Sequence, residues 1–192
     1  MATFYDSIEP QLVEFIARQH LYFVATAAAT GRVNMSPKGL DTFRVLDPNR
    51  VAWLNGTGSG NETAAHVSLD ARMTIMFCSF DTKPWILRLY GRARMVQPGD
   101  ADWDQLVGMF PPLPGARQVF DVRVEQAMTA CGFGVPTYEF TGDRPLLEQY
   151  ATNKGPDGLR DYQRRRNAVS IDGFDTHLPV DVLDPSTERQ AT

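Results

Sequence analysis

The strongest constraint in this chain is the spacing of its turn signals. Leu21 to Thr26 reads as a buried strand, Thr30-Gly31 as a turn, and Arg32 to Ser36 as a returning strand. "TFRVLDPNRVAWLN" repeats that plan around Asp47-Pro48-Asn49. "ARMTIMFCSF" and "WILRLYGRARMV" repeat it again across Asp81 to Pro84. "RQVFDVRVEQAMTACGFG" adds one more strand region, with polar alternation at Asp121, Arg123 and Glu125. Short strands punctuated in this way, with few helices between them, predict an antiparallel barrel.

The helical signals are fewer. Ser7 can cap a helix whose apolar positions Ile8, Leu12, Phe15 and Ile16 follow helical spacing. "ETAAHVSL" predicts one short helix, and Asp102 to Phe110 another that stops at Pro111-Pro112. Between Thr141 and Gly173 the pattern turns helical and charged, and from about Asp175 it becomes polar and proline-containing. The expected organisation is a mainly β (α+β) domain over residues 1–174, including a helical C-terminal arm, and a polar tail over 175–192.

Length and composition bound the rest. A chain of 192 residues with 43% hydrophobic content suits one domain with a substantial core. A formal net charge of −4 gives no general pull toward nucleic acid. No stretch reaches the roughly 18 apolar residues of a membrane span, and "MATFYDSIEPQ" has neither the basic nor the apolar region of a signal peptide. A cytoplasmic protein is expected, with Cys78 and Cys131 as buried free thiols.

The segment "GTGSGNETAAH" (Gly56 to His66) carries the main functional question. It is not a Walker loop, because Glu62, the sixth residue after Gly56, stands where that motif has its lysine, and no lysine follows. Nor is it a dinucleotide fingerprint, since Asn61 replaces the third glycine and the surroundings are antiparallel. Two readings remain. Backbone N–H groups at a helix start, with Ser59, Asn61 and Thr63 beside them, suit an anion. Alternatively, Asn61 caps the helix and the glycines permit the turn.

Cations are needed for the first reading. Lys38 and Arg44 lie on or near the strands just upstream, Arg44 pointing away from the face of Phe43 and Val45. Arg88, Tyr90, Arg92 and Arg94 share another strand face, which is either the wet side of a sheet or the lining of an anion site. Arg164 to Arg166 read as a solvated helix face. The three histidines, His20, His66 and His177, sit in no catalytic spacing, and no Cys/His arrangement suits a metal. No residue is assigned a catalytic role. A phosphate-compatible loop with nearby cations and no acid–base apparatus suits chemistry carried by a bound cofactor.

"NMSPKG", "GTGSGNETAAHV", "RMTIMFCSF", "WILRLYGRARMV", "CGFGVP" and "RRRNAVSIDG" together resemble, in this order, the pyridoxamine 5′-phosphate oxidase-like FMN-binding split-barrel family. The resemblance runs from about Ala17 to Gly173. It implies a six-stranded antiparallel split β-barrel with flanking helices, forming a homodimer with two FMN sites between subunits. Carried onto this chain, it implies Ser36 and Lys38 beside the FMN phosphate, with Arg44 second. Trp53 to Asn55 would pass beside the flavin ring, and Ser59, Asn61 and Thr63 would meet the phosphate at the helix start.

The chain departs from the family's pattern in two places. Where pyridoxamine phosphate oxidases carry Ser-Arg-Lys at the start of this helix, this chain has Asn61-Glu62-Thr63. A carboxylate near a dianion is unfavourable unless it turns away or is paired. The closing Arg-Leu-x-Pro segment is also absent. The expectation is a flavin-dependent oxidoreductase with an unspecified small-molecule substrate. The alternative is a split barrel without pyridoxamine phosphate oxidase activity that binds deazaflavin F420 or another ligand; haem is least favoured, because histidine is scarce.

Overall fold

A computed structural model describes residues 2–179. Its strands are β1 (Thr3–Tyr5), β2 (Tyr22–Thr26), β3 (Asn34–Lys38), β4 (Phe43–Asp47), β5 (Arg50–Gly56), β6 (Arg72–Cys78), β7 (Trp85–Val96) and β8 (Ala116–Cys131). All pair antiparallel in the order β3-β2-β6-β7-β8-β5-β4, with β1 added to β8. The fold is the expected split barrel, with eight strands rather than six.

The split lies between β3 and β5. Their backbones do not pair, and side chains bridge the gap: the Lys38 ammonium lies 3.4 Å from Asn55 Oδ1 and 5.1 Å from the centre of the Trp53 ring.

Alternation along the strands fills the barrel. Val24, Ile75, Phe77, Leu87, Leu89, Phe120 and Val122 point inward and are buried. Each such side chain contributes about 1.5–3 kcal/mol through the water it leaves. The helices α1 (Pro10–Ala17), α2 (Glu62–Leu69), α3 (Trp103–Val107) and α4 (Leu146–Arg166) flank the sheet. At Gly155, where φ is +66°, α4 breaks into two helical pieces.

Two local expectations change. Ser7 does not cap α1, which starts at Pro10 after an extended Glu9; the fixed φ of proline suits that first position. Ile8 N instead donates to Pro48 O. Cys78 is buried, but Cys131 ends β8 and is exposed; both are free thiols. Of the expected 175–192 tail, residues 180–192 lie outside the described region.

The arginine stripe on β7 faces outward. Arg94 pairs with Asp102 (2.5 Å) and Asp121 (2.9 Å), as the wet side of a sheet does. On β7 and β8 a bulge falls at Gly91: a Cβ there would stand 2.2 Å from Arg123 O, so glycine alone fits. No helix among the described residues is long and apolar enough to cross a membrane.

Candidate functional site

The opening of the split is a cavity of about 250 Å³. From β3 it receives Asn34, Ser36 and Lys38, which alternate with the exposed Met35 and Pro37. Asn55 enters from β5, the glycine loop supplies Gly58 to Asn61, and Glu62 and Thr63 begin α2. Strand β8 supplies Arg117.

Arg117 enters through a bulge. Asn55 pairs with Gln118 while Gly56 pairs with Ala116, so Arg117 is the extra residue between them. The bulge breaks the in–out alternation, and Arg117 and Gln118 are consecutively buried. Arg117 Nε donates to Gln118 Oε1 (3.1 Å) and Nη2 to Gly60 O (3.1 Å). The same Gln118 oxygen accepts from Asn55 Nδ2 (3.0 Å), whose own Oδ1 faces Lys38.

All these acceptors are uncharged, and neither Lys38 nor Arg117 is in an ion pair among the described residues. Loss of water, and then the Arg117 charge, pulls the Lys38 ammonium from 10.5 down to about 8. Burial pulls the Arg117 guanidinium down to about 10. Two donors at the cavity, Arg117 Nη1 and Ser36 Oγ, are buried without any partner among the described residues. Leaving a buried donor unmade costs about 1–3 kcal/mol, more for a charged one. Two under-neutralised cations and two idle donors together suit an anion with several oxygens.

Glu62 is turned aside. Both its carboxylate oxygens accept from Ile171 N, at 3.1 and 3.2 Å, in the segment after α4. Asn61 does not cap α2 with its side chain; its Nδ2 reaches Asn167 O at 3.4 Å. The loop is therefore tied to the C-terminal segment, and neither of the two sequence readings describes Asn61 fully.

Ser36, Lys38, Asn55, Ser59, Asn61 and Thr63, all singled out from sequence, line this one cavity. Trp53 lies fully buried beneath the Lys38 ammonium. Arg44 is the exception. Its guanidinium is held on the far side of β4 by Asp41 (2.6 and 3.0 Å) and Met109 O (2.9 Å), so it is not part of the cavity. Arg117 was missed, because an arginine opening a strand of alternating polar residues reads as solvated, and a bulge has no sequence signature here. His66 is buried against Thr26 Oγ1 at 3.1 Å, outside the cavity, and no cluster suited to a metal ion occurs among the described residues.

Comparison with known proteins gives a consistent picture. Residues 8–131 match the family model described as pyridoxamine 5′-phosphate oxidase. A pyridoxamine 5′-phosphate oxidase family protein of Aspergillus flavus, ustO, is 38% identical over 195 residues, covering 91% of this chain and 77% of its own. Among solved structures, a putative pyridoxamine 5′-phosphate oxidase of Lactobacillus delbrueckii superposes with a TM-score of 0.53 at 19% identity, over 64% of this chain and 94% of that one. A point variant of HupZ of Group A Streptococcus gives 0.50 at 22% identity, over 64% and 99%. At these identities the solved structures establish the fold alone.

Proposed function

This chain belongs to the pyridoxamine 5′-phosphate oxidase family, and on that premise we propose that it binds FMN and acts as a flavin-dependent oxidoreductase. The observation that carries the reading is the pair Lys38 and Arg117, two cations without counter-ions among the described residues, on one cavity that also holds the idle donors Ser36 Oγ and Arg117 Nη1. They fit the phosphate of FMN in charge and in hydrogen-bonding capacity. No histidine lines the cavity, which speaks against haem.

Bound flavin supplies hydride acceptance and donation at its N5, chemistry that needs no acid–base pair from the protein. The chain's own residues bind and orient. Lys38 and Arg117 neutralise the phosphate, Ser36 and Thr63 offer hydroxyls, and the first turn of α2 offers backbone N–H groups. The Asn55–Gln118 pair fixes both cations in place, so little rearrangement accompanies binding.

A cavity of this size takes the phosphate end and leaves the flavin ring at its mouth. We assign the cover to a second copy of the chain. The outer face of the sheet supports this: Pro37, Phe23, Met76, Arg88, Met128 and Phe4 stand opposite one another in register across six strands. Only Arg88 interrupts this apolar row, whose two ends are exposed, Phe4 at 60%. An apolar strip of this extent is characteristic of an interaction surface. A substrate other than pyridoxamine phosphate is favoured on this reading, because Asn61-Glu62-Thr63 stands in place of the Ser-Arg-Lys triplet at the start of α2.

The test is direct. Purified protein titrated with FMN should develop the shifted visible spectrum and quenched fluorescence of a bound flavin. A spectrum that stays that of free FMN at all protein concentrations would remove the reading.

A further inference from the structure

Four arginines stand directly opposite one another on the outer face of the sheet. Arg72 on β6 is in register with Arg92 on β7, Arg92 with Arg123 on β8, and Arg123 with Arg50 on β5. All four are exposed, while their chain neighbours Met73, Ala93, Val122 and Val51 are buried. Like charges facing each other across a strand pair weaken a sheet. The two ends of the row are answered. Arg72 Nε donates to Asp70 (2.6 Å), and Arg50 holds both oxygens of Asp121 (2.8 and 3.0 Å), which Arg94 shares. The two central guanidinium groups, of Arg92 and Arg123, are in no ion pair among the described residues. Glu125 follows two places after Arg123, but the bulge takes it out of register. Gly91 pairs with Val124 and Tyr90 with Gln126, so Glu125 is the extra residue, and it lines a separate hollow beside Tyr90.

We propose that the centre of this row is a second anion site, and that it holds a dianionic phosphate group, free or at the end of a small molecule, between Arg92 and Arg123. The site shares no lining residue with the cavity of Lys38 and Arg117, and it does not rest on the flavin reading.

Shape, charge and donor count carry it. Arg50, Arg92, Arg94 and Arg123 border a hollow of about 540 Å³, closed at one end by Asp47 and Asn49 of the β4–β5 turn. That is room for a phosphate with a nucleoside-sized substituent. Of the acidic groups nearby, Asp121 is already shared by Arg50 and Arg94, and Asp102 is taken by Arg94. Arg92 and Arg123 therefore leave two positive charges facing the single carboxylate of Asp47. Neighbouring strands stand about 4.8 Å apart, so two guanidinium groups can close on one phosphorus centre from either side. A carboxylate ligand offers two oxygens and one charge, enough for one guanidinium fork. A terminal phosphate offers three free oxygens and nearly two charges at neutral pH, enough for both.

Calorimetric titration of the full chain tests the proposal, at low ionic strength because exposed charges are screened by salt. The probes are inorganic phosphate, adenosine 5′-monophosphate and acetate. Arg92→Gln and Arg123→Gln alter exposed side chains and leave the strand pattern intact. Each should weaken one phosphate-binding event by at least about tenfold, while Arg117→Met retains that event. Tighter binding of the nucleotide than of inorganic phosphate would support the site and assign its phosphate to a nucleotide. Equal binding would support it and assign the ligand to the bare phosphate group. Acetate bound as tightly as phosphate would overturn the choice of a dianion. Phosphate binding unchanged in both glutamine variants, or absent from the wild-type protein, would overturn the site itself.

Discussion

Lys38 on β3 and Arg117 on β8 line one cavity from opposite sides of the split, and the Arg117 charge adds to the loss of water that lowers the Lys38 ammonium. Among the described residues neither has a carboxylate partner, although the chain carries more acidic than basic residues overall. Like charges brought together away from water destabilise a fold unless something of opposite sign joins them.

Stability and binding should therefore respond in opposite directions to the same substitution. Lys38→Met keeps the length of the side chain and removes the charge. The ligand-free protein should gain on the order of 2 kcal/mol, several degrees in Tm, while FMN affinity falls more than about a hundredfold. Thermal denaturation without ligand, together with FMN titration, reads both. A variant that loses stability and affinity in parallel would show Lys38 to be structural.

Affinity should have a pH window. A phosphate monoester loses its second proton near pH 6, and Lys38 in the free protein holds its proton up to about 8. Between these values both partners are charged. Above pH 8 binding must be accompanied by proton uptake, so affinity falls toward tenfold per pH unit. In the ligand-free protein the sign is reversed: between about pH 8 and 10.5 the unfolded chain holds the Lys38 proton that the folded chain has released, so stability rises with pH there. Denaturant unfolding at several pH values, in wild type and Lys38→Met, should show the rise only in the former.

Gly91 offers a test of the fold. Gly91→Ala places a methyl group 2.2 Å from the Arg123 carbonyl oxygen, backbone against backbone. The bulge should rearrange at a cost above about 3 kcal/mol, seen as a lower denaturant midpoint. A midpoint equal to wild type would mean that β7 and β8 pair in another register.

Self-association can be broken at one residue of the apolar row. Met76→Asp puts a charge between Phe23 and Arg88 on the outer face, away from the inward Ile75 and Phe77. Light scattering should report a dimer for wild type and a monomer for the variant, with circular dichroism unchanged. A wild-type monomer would leave that row without the cover assigned to it.

Much of this was legible in the sequence for a physical reason. Turn residues such as Asp47-Pro48-Asn49 act locally, so the hairpins and "ETAAHVSL" could be read directly; α2 spans the same eight residues. Ser36, Lys38 and Asn55 could be tied to one site only through the family resemblance, because their meeting depends on sheet closure. Arg117 was hidden for another reason: its direction is set by a bulge against Gly56, which no alternation pattern announces. Arg44 was misplaced by the opposite error. A strand face was inferred correctly, but Asp41, three residues away, captures the guanidinium. The orientation of Glu62 needed the segment after α4, whose contact at Ile171 is 109 residues distant.

The central claim is that Lys38 and Arg117 are held for a phosphate, and comparing FMN with riboflavin, which lacks only that group, measures it most directly. Titrated side by side into wild-type protein at pH 7, FMN should bind at least about a hundredfold more tightly. In Arg117→Met the two should bind alike. Equal affinities for FMN and riboflavin in the wild-type protein would contradict the account.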